Sequence, residues 1–137
     1  MEDRAEHFFN EGVAFAQLGQ HEETIASHDK AIALKPNSAQ IWDNRAQSLR
    51  DLGRYAEAVE SYDKALAIDS DDGNVWYNRG LALSNLGRYT EAVNSYDKAL
   101  ALNPNYIEAR ESREVALKNQ EREENSKTKT MSEIQFN

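Results

Sequence analysis

Cysteine is absent from these 137 residues, which excludes a disulfide framework, a thiolate nucleophile and a cysteine-ligated zinc. That absence suits a reducing compartment, and the expected localisation is cytoplasmic. Positive charge is in deficit: 16 Lys and Arg stand against 24 Asp and Glu, a formal charge of -8. Such a chain repels phosphate backbones and anionic lipid, so neither nucleic acid nor a membrane surface is an expected partner, and basic or neutral partners are favoured. No apolar run approaches the roughly 20 residues that cross a bilayer, and the charged start from Met1 to His7 has no apolar signal core. A nucleophile elbow, a Walker loop, a dinucleotide fingerprint and the kinase set are all missing, so neither an enzyme nor a cofactor is expected. At 39% hydrophobic residues the chain can build the thin core of one domain rather than a deep catalytic cavity.

What is present is a period. Slid along itself by 34 residues, the sequence matches at Trp42/Trp76, Leu18/Leu52/Leu86, Gly19/Gly53/Gly87 and Ser27/Ser61/Ser95, and Asp29-Lys30-Ala31 recurs at 63–65 and 97–99. Three units follow: 5–38, 39–72 and 73–106. Within a unit the apolar spacing is helical, with Ile41, Trp42, Leu49 and Leu52 on one face and Val59, Tyr62, Leu66 and Ile68 on another. Leu-Gly at 52–53 and 86–87 divides each unit into two helices, because glycine can take the positive φ of a helix C-terminus. The second break carries Pro36, Pro104 or the acidic run 69–72, and Asn37, Ser38 or Asp72 can cap the next helix. Small residues at Gly12/Ala46/Gly80, Ala58/Ala92 and Ala31/Ala65/Ala99 mark close helix crossings.

Neither helix of a hairpin can bury its apolar face alone, so stability must come from stacked neighbours and a polar-backed end. Residues 107–124 supply a capping helix, with Ala109, Ala116 and Leu117 on one face and Glu108, Glu111, Lys118 and Glu121 elsewhere. The expected organisation is an all-α solenoid of tandem antiparallel helix hairpins over residues 1–124, followed by a polar, unpatterned tail at 125–137.

The third unit carries Trp76, Gly80, Leu83, Gly87, Tyr89, Ala92, Tyr96, Ala99 and Pro104 in order, which resembles the tetratricopeptide repeat family. The second unit departs with Ser70 in the proline slot. The first has Phe8, His21, Thr24 and His28 in four signature slots, and Glu11, Arg45 and Arg79 stand where the family places a leucine before glycine. The resemblance implies a right-handed superhelix whose concave side is lined by the first helix of each unit, and a non-catalytic protein-interaction module or scaffold that holds a peptide segment there.

On that face Asn10, Asn44 and Asn78 form a column at the 34-residue offset. An amide both donates and accepts, so it can satisfy the backbone of an extended chain without reading its side chains. The column resembles the asparagine ladder of the peptide-gripping superhelix in O-linked N-acetylglucosamine transferase; the alternative is that each amide bonds within its own hairpin. Phe9, Val13, Tyr77 and Leu81 are expected apolar anchors, unless packing accounts for them, and Gln47 and Arg50 are expected polar selectors. The family's carboxylate clamp, which holds acidic chaperone tails with lysines, an arginine and asparagines, is matched only at Asn44. The slots that would be basic are Phe9, Asn74 and Asn78, so that mode of binding is not expected.

His21 and His28 occupy slots filled by Tyr55/Tyr89 and Tyr62/Tyr96, so packing explains them better than a metal, and no metal site is expected. The run 69–73 has its glycine one residue early for a calcium loop. A different class of function is self-assembly into a homo-oligomer, by end-to-end stacking or through a tail anchored by Ile134-Gln-Phe136.

Overall fold

In the computed structural model, which describes residues 3–136, the three Leu-Gly pairs each end a helix. Gly19, Gly53 and Gly87 take φ of 74°, 77° and 75°, a left-handed conformation that costs glycine little. The chain turns back so that the amides of Gln20, Arg54 and Arg88 donate to the carbonyls of Phe15, Leu49 and Leu83 at 2.9, 2.8 and 2.9 Å. Those bonds satisfy carbonyls that a helix end leaves unpaired. Met1 and Glu2 of the expected 1–124 domain, and Asn137 of the expected tail, lie outside the described residues, as does the side chain of Phe136.

Among the described residues there are seven α-helices and no strand: α1 (Arg4–Gln17), α2 (His21–Leu34), α3 (Ala39–Asp51), α4 (Tyr55–Ile68), α5 (Gly73–Asn85), α6 (Tyr89–Leu102) and α7 (Ile107–Phe136). The pairs α1/α2, α3/α4 and α5/α6 are hairpins, and contacts of α2 with α3, α4 with α5 and α6 with α7 stack them into a right-handed solenoid. Asp3 and Asp72 cap α1 and α5 by accepting from the amides of Ala5 and Asn74, both at 3.0 Å. Ser38 stands at the N-cap of α3, but its side chain makes no capping bond.

The core is continuous along the stack, running through Ile25, Leu49, Tyr62, Leu66, Leu83 and Tyr96. Gly80 lies against Tyr96: a Cβ there would stand 2.4 Å from Tyr96 Cε1, and one at Gly12 would stand 2.4 Å from His28 Nε2. The two buried tyrosines differ in their hydroxyls. That of Tyr96 is 3.1 Å from Ser84 Oγ, whereas that of Tyr62 is buried without a partner. Burial pushes the Tyr62 phenol pKa well up. Tyr62→Phe therefore removes an unsatisfied group and leaves stability unchanged or raised, while Tyr96→Phe costs about 1 kcal/mol. Urea unfolding of the two variants side by side reads the contrast, and an equal loss in both would contradict it.

Arg45 and Arg79, in the slot where the family has leucine, have a structural role. Each reaches back to the preceding hairpin, Nε donating to Asp29 Oδ1 and Asp63 Oδ1 at 2.7 Å, and Arg113 of α7 makes the same contact with Asp97. Both guanidinium groups also lie over the indole of their own helix, 5.9 Å from the Trp42 and Trp76 rings. Glu11, in the equivalent slot of the first hairpin, accepts from Ser27 Oγ at 2.9 Å.

The helix α7 begins as the first helix of a fourth hairpin. Arg110 takes the tryptophan slot, and its Nη2 donates to the Pro104 carbonyl at 2.7 Å, as Trp42 and Trp76 do to the Pro36 and Ser70 carbonyls at 2.9 Å. Ala109 and Ala116 are buried against the stack. Glu114 stands in the slot of Gly80 and is exposed, so the outer face is closed by charge. The expected end of the capping helix at residue 124 is corrected: α7 continues to Phe136, so residues 125–136 of the expected tail are helical. No proline or glycine interrupts 107–136, so nothing in the backbone stops the helix once α6 no longer supports it.

Candidate functional site: the asparagine-lined groove

Asn10, Asn44 and Asn78 lie at the same turn of α1, α3 and α5, but their surroundings differ. Asn10 is exposed and lines a cavity of about 260 Å³ with Glu6, Phe9, Lys35 and Ile41. Asn44 is half-buried and lines the 34-residue equivalent, about 390 Å³, with Gln40, Asp43, Asp69, Asp72 and Val75. At the third equivalent place the rings of Tyr77 and Tyr106 pack together, centroids 4.9 Å apart.

A second row of cells runs beside the first. Val13, Ala16, His21, His28, Asn44, Gln47, Ser48 and Asp51 enclose about 180 Å³ between the first two hairpins. One hairpin further on, Arg50 Nη1 donates to Asn78 Oδ1 at 3.0 Å, spanning from α3 to α5. Beyond that the groove opens again to about 340 Å³, lined by Leu81, Ser84, Tyr96, Glu111, Ser112 and Val115.

Burial and acidic charge set the electrostatics. Asp43 Oδ2 accepts from Gln47 Nε2 at 3.3 Å, while Oδ1 is buried without a partner. Burial pushes the Asp43 carboxyl pKa up, the Gln47 bond opposes this and Asp72 adds to it. Burial likewise pushes the His28 imidazole pKa down, against smaller upward pulls from the Phe9 backbone and Asp29. His28 is stacked on Phe9, centroids 5.5 Å apart at 19°. His21 Nε2 is 3.7 Å from Asp51 Oδ2. Among the described residues no group of three or more His, Asp or Glu is placed to hold a metal ion, and no helix is long and apolar enough to cross a membrane.

The nine residues singled out from sequence thus fall into two groups. Asn10, Asn44, Phe9, Val13, Gln47 and Leu81 line open cells. Asn78 and Arg50 are bonded to one another, and Tyr77 is engaged with both Tyr96, at 5.9 Å, and Tyr106. Sequence reasoning put Asp43 on the groove face but did not pair it with Gln47, although the i, i+4 spacing on α3 carries that signal.

Tetratricopeptide repeat models match residues 29–60 and 73–106, and a TPR repeat model matches 46–87. Among solved structures, the Arabidopsis OM64 TPR domain is similar at a TM-score of 0.80 and 27% identity, over 84% of this chain and 95% of that one. The first TPR domain of human RPAP3 is similar at 0.82 and 25%, over 90% and 97%. The second TPR domain of human RPAP3, solved in complex with the HSP70 peptide SGPTIEEVD, is similar at 0.79 and 25%, over 82% and 94%. A comparison with curated proteins finds no match.

Proposed function

Because the chain belongs to the tetratricopeptide repeat family, we propose that it is a non-catalytic interaction module that holds a peptide segment of a partner protein along the groove of α1, α3 and α5. The observation that carries this reading is the amide column itself: Asn10 and Asn44 each edge an open cavity at one repeat spacing, where a passing backbone can meet them. A rigid solenoid leaves most of the ordering cost with the ligand, which favours binding without a large interface. Val13 and Leu81 offer apolar grip, Gln47 a polar contact, and Asn78 becomes available when Arg50 lets go.

The neighbour that binds SGPTIEEVD takes a peptide with an acidic end. Here Phe9, Asn74 and Asn78 stand in the clamp's cationic slots, and Asp43, Asp69 and Asp72 line the adjacent wall. The partner segment is therefore neutral or basic, and SGPTIEEVD should show no saturable binding. Selection from a diverse peptide library tests the reading: enriched peptides with neutral or basic character support it, and enrichment of acidic C-termini would contradict it. A second reading, self-association through α7, is favoured by the exposure of Met131 (64%) and Ile134 (70%) on the unsupported part of the helix. Deleting 125–137 and measuring solution mass separates the two.

A further inference from the structure

Resting on that groove reading, a further step names an occupant for the groove. The helix α7 leaves the stack after Gln120, whose Nε2 donates to Thr90 Oγ1 of α6 at 2.9 Å, and every residue from Glu121 to Gln135 is exposed. At about 100° per residue, the face that is buried through Ala109 and Ala116 continues as Lys127, Met131 and Ile134, spaced i, i+4, i+7. A packing stripe thus runs on past the surface it packs against, with a cation at one end of it and two large apolar side chains at the other.

The groove carries the complement. Asp43, Asp69 and Asp72 line the cell of about 390 Å³ between the second and third hairpins, while Leu81 and the exposed Val115 give the cell of about 340 Å³ between α5 and α7 an apolar wall. Among the described residues neither Lys127 nor any of these three aspartates has an ion-pair partner within 4.0 Å. Because α3 touches α5 and α5 touches α7, the two cells are one helix step apart, about 8–10 Å. From Lys127 to Ile134 the helix rises about 10 Å.

The groove of the same chain is out of reach. Sharp helix bends need proline, glycine or a π-bulge, and 107–136 holds no proline or glycine and is α-helical throughout. A second copy has no such restriction. Two α7 stripes laid on one another would bury only Met131 and Ile134 from each, whereas the groove adds Leu81, Val115 and three carboxylates. We propose that the free part of α7 of one copy lies in the groove of a second copy, Lys127 at Asp43, Asp69 and Asp72, and Met131 and Ile134 against Leu81 and Val115. A groove filled in this way is closed to other segments, so self-association and capture of another protein exclude each other.

Sedimentation equilibrium of the full chain and two variants tests this. Lys127→Glu with Met131→Glu spoils the helix face and leaves the groove; Asp69→Lys with Val115→Glu spoils the groove and leaves the face. All four positions are exposed, so the circular dichroism should stay helical. The full chain should exceed the mass of one copy as concentration rises, several-fold more weakly at about 0.5 M salt, and a peptide selected for the groove should return it to one copy. Each variant alone should stay single, and an equimolar mixture of the two should associate, since each supplies what the other lacks. Association that survives Asp69→Lys with Val115→Glu, a mixture that stays single, or a complex that the groove peptide leaves intact would each overturn the proposal. A full chain that stays single while its library peptides are lost on Asn→Ala substitution would also overturn it and leave the groove reading standing.

Discussion

Gly80→Val destabilises the fold by about 3 kcal/mol, the upper end of what overpacking a core costs, and lowers the melting temperature on the order of 10 °C for a domain of this size. The added Cβ alone would lie 2.4 Å from Tyr96 Cε1, 2.7 Å from Cδ1 and 2.9 Å from Cζ. The ring has little room to retreat, since Tyr96 is 1% exposed, its hydroxyl is 3.1 Å from Ser84 Oγ and Tyr77 packs on it. Gly80→Ala costs less, because the second hairpin carries Ala46 in the same slot opposite Tyr62, so the architecture tolerates a methyl with a small adjustment of the ring. Tyr96→Ala alone costs about 3–5 kcal/mol as a cavity. In the double variant Gly80→Val with Tyr96→Ala the valine occupies the vacated space, so the two losses do not sum. Urea denaturation of the four proteins measures this; strictly additive losses would show that the ring is not what Gly80 accommodates.

Replacing Asn10, Asn44 and Asn78 together with alanine weakens a selected peptide on the order of 100-fold. Each amide lost from a backbone contact is worth about 1 kcal/mol net, so three amount to about 3 kcal/mol, and about 1.4 kcal/mol corresponds to a factor of ten. The three contributions differ. Asn44, between two open cells, should lose most on its own. Asn78→Ala frees Arg50, and part of the lost contact returns if the guanidinium meets a peptide carbonyl instead. Stability should change little, because Asn10 is exposed and Asn44 half-buried. Calorimetric titration alongside thermal melts separates the outcomes: a collapse of the melting temperature with the affinity would make the column structural.

The fold was legible because its determinants are local and recur. Leu52-Gly53 and Leu86-Gly87 announce a helix end at each occurrence, and Ala58, Ala65, Ala92 and Ala99 mark crossings that are fully buried. Contacts between hairpins were harder to read. Arg45 gives no sign in its own helix that its partner is Asp29, 16 residues earlier, and the Arg50–Asn78 bond depends on how far one hairpin is turned against the next. Tyr77 reads as a groove anchor by position, but Tyr106, the ring it packs against, lies in the segment between α6 and α7 and not in a helix. The end of α7 was misread for a different reason: a polar composition without periodicity describes a helix with no neighbour as well as it describes a tail.

The ladder of Arg45, Arg79 and Arg113 on Asp29, Asp63 and Asp97 bears on how such a chain can be inherited. Each 34-residue unit from the second onward brings its own arginine for the unit before it and its own aspartate for the unit after it. A tandem duplication inside the gene would therefore create a new joint already furnished with its ion pair. The ends do not share this freedom. A unit added ahead of the first would set an aspartate against Glu11, and one added behind α7 would have to pack a helix on Glu114. Like charge in the first case and buried charge in the second oppose the insertion. Growth by duplication is open where an arginine meets an aspartate and opposed at Glu11 and Glu114.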